Sequence, residues 1–333
     1  MISRDQLFKI LTLAIFLTVP FLCLAQSTEN DGLKTWTTAA TKSSPPTAPS
    51  FVALLLGGNG EVDEPVRSFC SHSGGGEIVV LRASGADGMN PYLHQLCPQN
   101  SVTTLLITSL AGALNPAVTQ HVRDAHAIYI AGGDQSNYVK MWSGNSLQQE
   151  IDNDVARGVP IGGLSAGLAV LGQYVFSSRL DTVTSPQALA NPYDPKVTLE
   201  RKFLAIPVLK GVITDSHFSQ RERMGRSMAF LARIVQDGWA KKVHGIGIDE
   251  TTAVLIDADG KATVSGKGSA YFFTLDHRPE VCRPGKPLTV RGIAAYKLPG
   301  GDASRFDLKS WTGSGGSSFT VNVIDGKMTR TDE

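Results

Sequence analysis

Charge of one sign is what this sequence lacks: 31 Lys plus Arg stand against 30 Asp plus Glu, a formal net charge of +1 over 333 residues. A protein that grips nucleic acid by neutralising many phosphates needs a basic excess, so that class is set aside, although a local basic pocket is not. Cysteine is scarce, with four residues, and no CxxC or Cys/His spacing suggests a zinc site. Sustained heptads, internal repeats and a clear linker are all missing. Glycine, by contrast, is abundant at 34 residues with no collagen period, which points to tight turns and close backbone approaches. With 42% apolar and 18% charged residues the chain can bury a sizeable core. Its length suits one large domain or two small ones, and the missing linker favours one.

The longest apolar run, Ile10 to Leu24, follows a short positive lead ending at Lys9. It falls short of the roughly twenty residues of a spanning helix, and Cys23 and Ala25 stand at small-residue positions, which predicts a signal peptide over residues 1–25 cut after Ala25. Lipidation at Cys23 is disfavoured by the bulk of Leu22 before it. Residues 26–48, rich in Ser, Thr and Pro, read as a flexible leader. The expected product is secreted or periplasmic, with no membrane attachment after cleavage. Of the three remaining cysteines, Cys70 and Cys97 are close enough in sequence to pair in an oxidising compartment. A Cys70–Cys97 bridge and three free thiols stand equally open.

Residues 49–333 form the expected single domain. Phe51–Leu56, Glu77–Arg82, Thr103–Thr108 and Ala127–Ala131 are continuous apolar runs, each followed by a glycine-containing corner and a helix-like stretch. That pattern predicts an α/β fold, a mostly parallel sheet with helices on both faces. From about residue 252 the strands are joined by short Asp/Gly turns, which predicts an antiparallel C-terminal addition. Ligands of parallel sheets bind at the carboxyl ends of the strands.

One such corner, Gly163-Leu-Ser165-Ala-Gly167, has the G-x-S-x-G form of a nucleophile elbow between a short strand and an apolar helix. There Ser165 would stand above the sheet, with the Ala166 amide free to donate to an oxyanion. The plain alternative is a glycine turn whose serine caps the helix. A serine nucleophile needs a base. Among seven histidines, His217 follows an apolar strand directly and has Arg221, Arg223 and Arg226 beside it. Arginines near a helix start oppose the helix dipole, so a cradle for carboxylates is one reading and ordinary surface arginines the other.

Gly132-Gly-Asp-Gln135, Gly163-Leu-Ser-Ala-Gly167, Asp215-Ser-His-Phe218 with the three arginines, and Gly247-Ile-Asp-Glu250-Thr together resemble the cyanophycinase and aspartyl-dipeptidase (peptidase E-like) family of serine peptidases. The resemblance spans roughly residues 51 to 260. It implies a fold similar to class I glutamine amidotransferases and cleavage after aspartyl residues, in one branch within the β-linked Asp-Arg units of cyanophycin. Ser165 would be the nucleophile and His217 the general base. Gly132 or Gly133 would join Ala166 in the oxyanion site. Gln135, Asp215 and Ser216 would face the substrate, and Arg221, Arg223 and Arg226 would hold its carboxylate.

Two positions depart from the family pattern. Ser216 replaces a glutamine, and the region after the serine has no glutamate where the family carries its charge-relay acid. Asp181 is the nearest carboxylate and is taken as that acid, with a nearby hydroxyl or Glu200 as substitutes. Asp249 and Glu250 contact a substrate cation on one reading and form an ordinary acidic turn on the other. The resulting expectation is a secreted serine peptidase with an aspartyl-containing peptide or polymer substrate and no metal or organic cofactor. An α/β-hydrolase esterase and a non-catalytic binding protein that keeps the pocket are the alternatives. The oligomeric state, a homodimer included, is left open.

Overall fold

The computed structural model describes residues 32–41, 45–60 and 62–332. The expected signal peptide and the start of the leader lie outside them. In chain order the strands begin with β1 Leu33–Thr38, β2 Val52–Leu56, β3 Ile78–Arg82, β4 Val102–Ile107, β5 Ala127–Ile130 and β6 Ile161–Leu164. Next come β7 Tyr174–Phe176, β8 Leu199–Arg201, β9 Val212–Asp215, β10 Val243–Ile248, β11 Thr252–Asp257 and β12 Lys261–Gly266. The last are β13 Ser269–Leu275, β14 Val290–Pro299, β15 Arg305–Asp307, β16 Thr312–Ser314, β17 Ser317–Ile324 and β18 Lys327–Asp332.

These strands build two sheets rather than the one expected. The first has the order β1-β4-β3-β5-β6-β2-β11-β12-β15-β16. Its block β4-β3-β5-β6-β2 is parallel throughout. Every residue of β2, β4 and β5 is buried, as a strand covered on both faces requires. The second sheet has the order β18-β17-β14-β13-β10-β9-β7-β8. Only β7, β9 and β10 run parallel in it. Past β10 the pairing is antiparallel in both sheets, so the C-terminal addition is antiparallel as expected and extends both sheets. An apolar run declares that a strand is buried but not which strand it pairs with, and this hid the second sheet.

The leader also differs from expectation. Leu33–Thr38 is an edge strand, antiparallel to β4 from Leu33↔Ile107 to Thr38↔Val102. Its run of Thr and Trp is good strand material, but its burial alternates too weakly to stand out in sequence. Cys70 and Cys97 are joined, with Cα atoms 5.9 Å apart, and tie the helix Asp63–His72 to the end of the helix Met89–Leu96. Cys282 is free and buried.

The helix Met224–Gln236 lays Met228, Leu231 and Val235 into the core of the second sheet, as its three- and four-residue spacing predicts. Arg221 and Arg223 precede this helix, and only Arg226 lies in its first turn. The carboxyl ends of β2 and β6 from one sheet meet those of β9 and β10 from the other. At this junction the His217 amide donates to the Gly57 carbonyl at 2.9 Å, and the Gly57 amide donates to the Thr252 carbonyl at 2.9 Å. No helix among the described residues is long and apolar enough to cross a membrane.

Candidate active site

Strand β6 ends at Leu164 and a helix begins at Ala166, so Ser165 must turn the chain by itself. It does so at φ 55° and ψ −110°, a conformation that costs a non-glycine residue about 1–3 kcal/mol. The flanking glycines make the corner possible. A Cβ on Gly163 would lie 2.5 Å from the Gly167 carbonyl carbon, and one on Gly167 would lie 2.0 Å from the Ile130 oxygen. The Ser165 side chain does not cap the helix. Its Oγ instead meets Nε2 of His217 at 2.7 Å.

His217 lies two residues past the end of β9 and is also left-handed, at φ 46°. Its ring lies against Gly58, where a Cβ would come within 2.4 Å of Cε1. Nδ1 faces Oε1 of Glu250 at 2.7 Å. Burial holds this imidazole below the ordinary histidine range; Glu250 opposes that, and the charges of Arg221 and Arg223 add to it. The hydrogen bond to His217, followed by one from Asn59, keeps the Glu250 carboxyl below its ordinary range. Neighbouring Asp249 is turned inward, where its carboxylate accepts from the amides of Ser219 at 2.8 Å and Ser269 at 3.0 Å.

The acid beside the histidine is therefore Glu250, not Asp181. Asp181 is exposed and bonds Lys196 Nζ at 2.8 Å. The alternative Glu200 pairs with Arg179 at 2.6 Å. The family resemblance places the acid in the region after the serine, where Asp181 is the nearest carboxylate; in the fold the carboxylate at His217 comes instead from the turn after a neighbouring strand. β10 pairs with β9 in parallel register, so the turn that follows β10, with Asp249 and Glu250, sits beside the turn that follows β9, with Ser216 and His217. That adjacency is the signal that could have found Glu250.

The arginines divide as well. Arg226 is buried and grips Asp215 with two bonds, Nη2 to Oδ1 at 2.6 Å and Nε to Oδ2 at 2.8 Å. Arg223 bonds the same Oδ1 at 3.1 Å and the Ser216 carbonyl at 2.8 Å. Burial disfavours charge on Asp215, but Arg226 and then Arg223 outweigh it and hold the carboxyl below its usual range. Burial in turn brings the Arg223 guanidinium down to about 10, still charged at neutral pH. Asp215 and Ser216 are buried and do not face the cleft as expected. Acid and arginines of one motif satisfy each other. Removing one partner of such a buried pair costs about 3–5 kcal/mol, which makes this ion cluster the base on which the His217 turn rests.

Arg221 is exposed, and its guanidinium has no hydrogen-bond or ion-pair partner among the described residues. It borders a cleft of 410 Å³ with Gly133, Gln135, Asp181 and Thr182, and parts of Arg223 and Arg226 also reach its wall. Gln135 opens a helix there and reaches the Phe176 carbonyl at 3.4 Å. Gly132 packs on the serine, since a Cβ there would lie 3.5 Å from the Ser165 Cβ. Ala166, the first residue of its helix, has no carbonyl one turn back to receive its N–H. The arrangement can take a proton from a hydroxyl and pass it through an imidazole whose other nitrogen is held by a carboxylate, beside one unclaimed cation.

Residues 105–264 match the model of peptidase family S51. The cyanophycinase of Synechococcus elongatus is 28% identical over 210 residues, which cover 61% of this chain and 60% of that protein. The cyanophycinase of Trichormus variabilis is 30% identical over 191 residues, 54% of this chain and 56% of that protein. The chain thus spans about 60% of the length of the first of these curated relatives. A crystal structure of a peptidase from an acI-B1 Actinobacterium is similar in fold, with TM-score 0.53 at 18% identity, covering 78% of this chain and 98% of that one.

Proposed function

We propose that this chain, which belongs to peptidase family S51, is a secreted serine peptidase that hydrolyses peptide or isopeptide bonds after aspartyl-like residues. The observation that carries this reading is the line Ser165 Oγ, His217 Nε2, His217 Nδ1, Glu250 Oε1, with 2.7 Å at each hydrogen bond. In the proposed reaction His217 takes the Ser165 proton as Oγ attacks the acyl carbon. The oxyanion forms against the amides of Ala166 and of Gly132 or Gly133. The imidazolium, stabilised by Glu250, then gives its proton to the leaving amine. Water attacks the acyl-enzyme by the same steps in reverse order. Arg221 receives the carboxylate of the aspartyl-like residue, and Gln135 lines its path. Export is supported by the signal-like N-terminus and by the Cys70–Cys97 bridge. The relatives named cyanophycinase support an aspartyl-containing polymer or peptide as substrate.

The test is a panel of aspartyl dipeptides, isoaspartyl dipeptides, polymeric Asp-Arg and neutral analogues, read with the wild type and Arg221→Ala. Arg221→Ala is expected to lower kcat/KM on aspartyl substrates by roughly tenfold to a hundredfold, the worth of a charge-assisted hydrogen bond, and to affect neutral substrates far less. Equal losses on both would remove Arg221 from substrate recognition.

The pH profile gives a second check. Only neutral His217 can accept the serine proton, so activity falls as pH drops through its pKa. Burial and the nearby arginines depress that pKa, so the acid limb of kcat/KM should have its midpoint below the ordinary histidine value of 6.5. Because the Arg221 charge lowers this pKa, Arg221→Ala should move the limb upward. A wild-type midpoint above 6.5, or a downward shift in the variant, would contradict this electrostatic account.

A further inference from the structure

We infer that Asn59 is a positioning residue for the Ser165–His217–Glu250 relay, acting through Glu250 without touching substrate. The inference rests on the serine-peptidase reading. Glu250 is the least constrained member of the relay. It lies in the turn after β10 with 19% of its side-chain surface open, and its long side chain would sample many orientations if held at one point only. His217 engages one oxygen, Oε1. The other, Oε2, accepts a hydrogen bond from Nδ2 of Asn59 at 2.7 Å. With both oxygens held, the carboxylate has one orientation. It then fixes the imidazole proton on Nδ1 and leaves Nε2 to accept from Ser165.

The backbone around Asn59 is shaped for this reach. Gly58, Asn59 and Gly60 follow β2 with φ of 108°, 52° and 126°. Asparagine is among the few residues other than glycine that take the left-handed region readily. The turn is tied to the residue after Glu250: the Thr251 amide donates to the Gly58 carbonyl at 2.9 Å, and the Thr251 hydroxyl to the Asn59 carbonyl at 3.2 Å. One turn from the first sheet thus places Gly58 against the His217 ring and Asn59 on the Glu250 carboxylate. Asn59 bonds the Glu250 carboxylate and neither the serine nor the imidazole, so its loss is expected to act on the chemical step.

The experiment is a double-mutant cycle of Asn59→Gly and Glu250→Ala, read as the rate constant for fluorophosphonate labelling of Ser165 in the full chain. Glycine keeps the left-handed backbone and removes only the amide group. Asn59→Gly is expected to slow labelling about tenfold and to leave KM for a hydrolysed aspartyl substrate within about twofold. In the Glu250→Ala background the same change should cost nothing further. Asn59→Asp, close in shape, sets a second carboxylate against Glu250 and should slow labelling at neutral pH at least as much. Equal losses with and without Glu250 would mean that Asn59 only supports the turn, and an unchanged rate would mean that it does nothing; either result overturns the proposal. Failure of the underlying reading is distinguishable, because the wild type would then show no Ser165-dependent label, and the proposal falls with it.

Discussion

Ser165→Ala is expected to lower kcat on an aspartyl substrate by roughly a millionfold, and His217→Ala by a similar factor, because the two groups work as a unit. Without the hydroxyl there is no acyl-enzyme. Without the imidazole, the hydroxyl keeps its proton at neutral pH and is a poor nucleophile. The 2.7 Å contact between Oγ and Nε2 makes this dependence mutual. The double variant should therefore be no worse than either single one, with residual catalysis supplied by the oxyanion amides and substrate binding. Steady-state kinetics on the three proteins check this. Losses that multiply in the double variant would mean that serine and histidine act in separate steps.

The second large effect separates two carboxylates. Glu250→Gln should cost roughly 10³- to 10⁴-fold in kcat, since it removes the charge that orients His217 and stabilises its cation. Asp181→Asn should stay within about threefold, because Asp181 is exposed, bonds Lys196 and makes no contact with His217. Thermal melting curves of both variants separate loss of fold from loss of function. If Asp181→Asn were the crippling change and Glu250→Gln the mild one, the relay would have to be redrawn through the loop after Ser165.

How far the sequence reached can be judged from these residues. The elbow was legible because its demands are local: a strained serine needs Gly163 and Gly167 beside it, and those glycines are written next to it. His217 was legible because it adjoins an apolar strand and a cluster of charge. Glu250 was not, because its place beside His217 depends on β10 lying beside β9, a fact of strand order. The arginine cluster misled in another way. Three cations in one motif suggested three ligands for substrate, yet Asp215 in the same motif claims two of them inside the protein. Burial decides which arginine remains available, and burial is a tertiary property. The same limit applies to the sheets. Each of the apolar runs Phe51–Leu56, Glu77–Arg82, Thr103–Thr108 and Ala127–Ala131 proved to hold a strand, but the division of strands between two sheets, which brings Ser165 from one and His217 from the other, is set by pairing and not by composition.

The most direct measurement is covalent: the wild type and Ser165→Ala are treated with a fluorophosphonate, and the adduct is located by peptide mapping. The account predicts one adduct, on Ser165, with no label on the variant. No adduct on the folded wild type, or an adduct that survives the substitution, would contradict it.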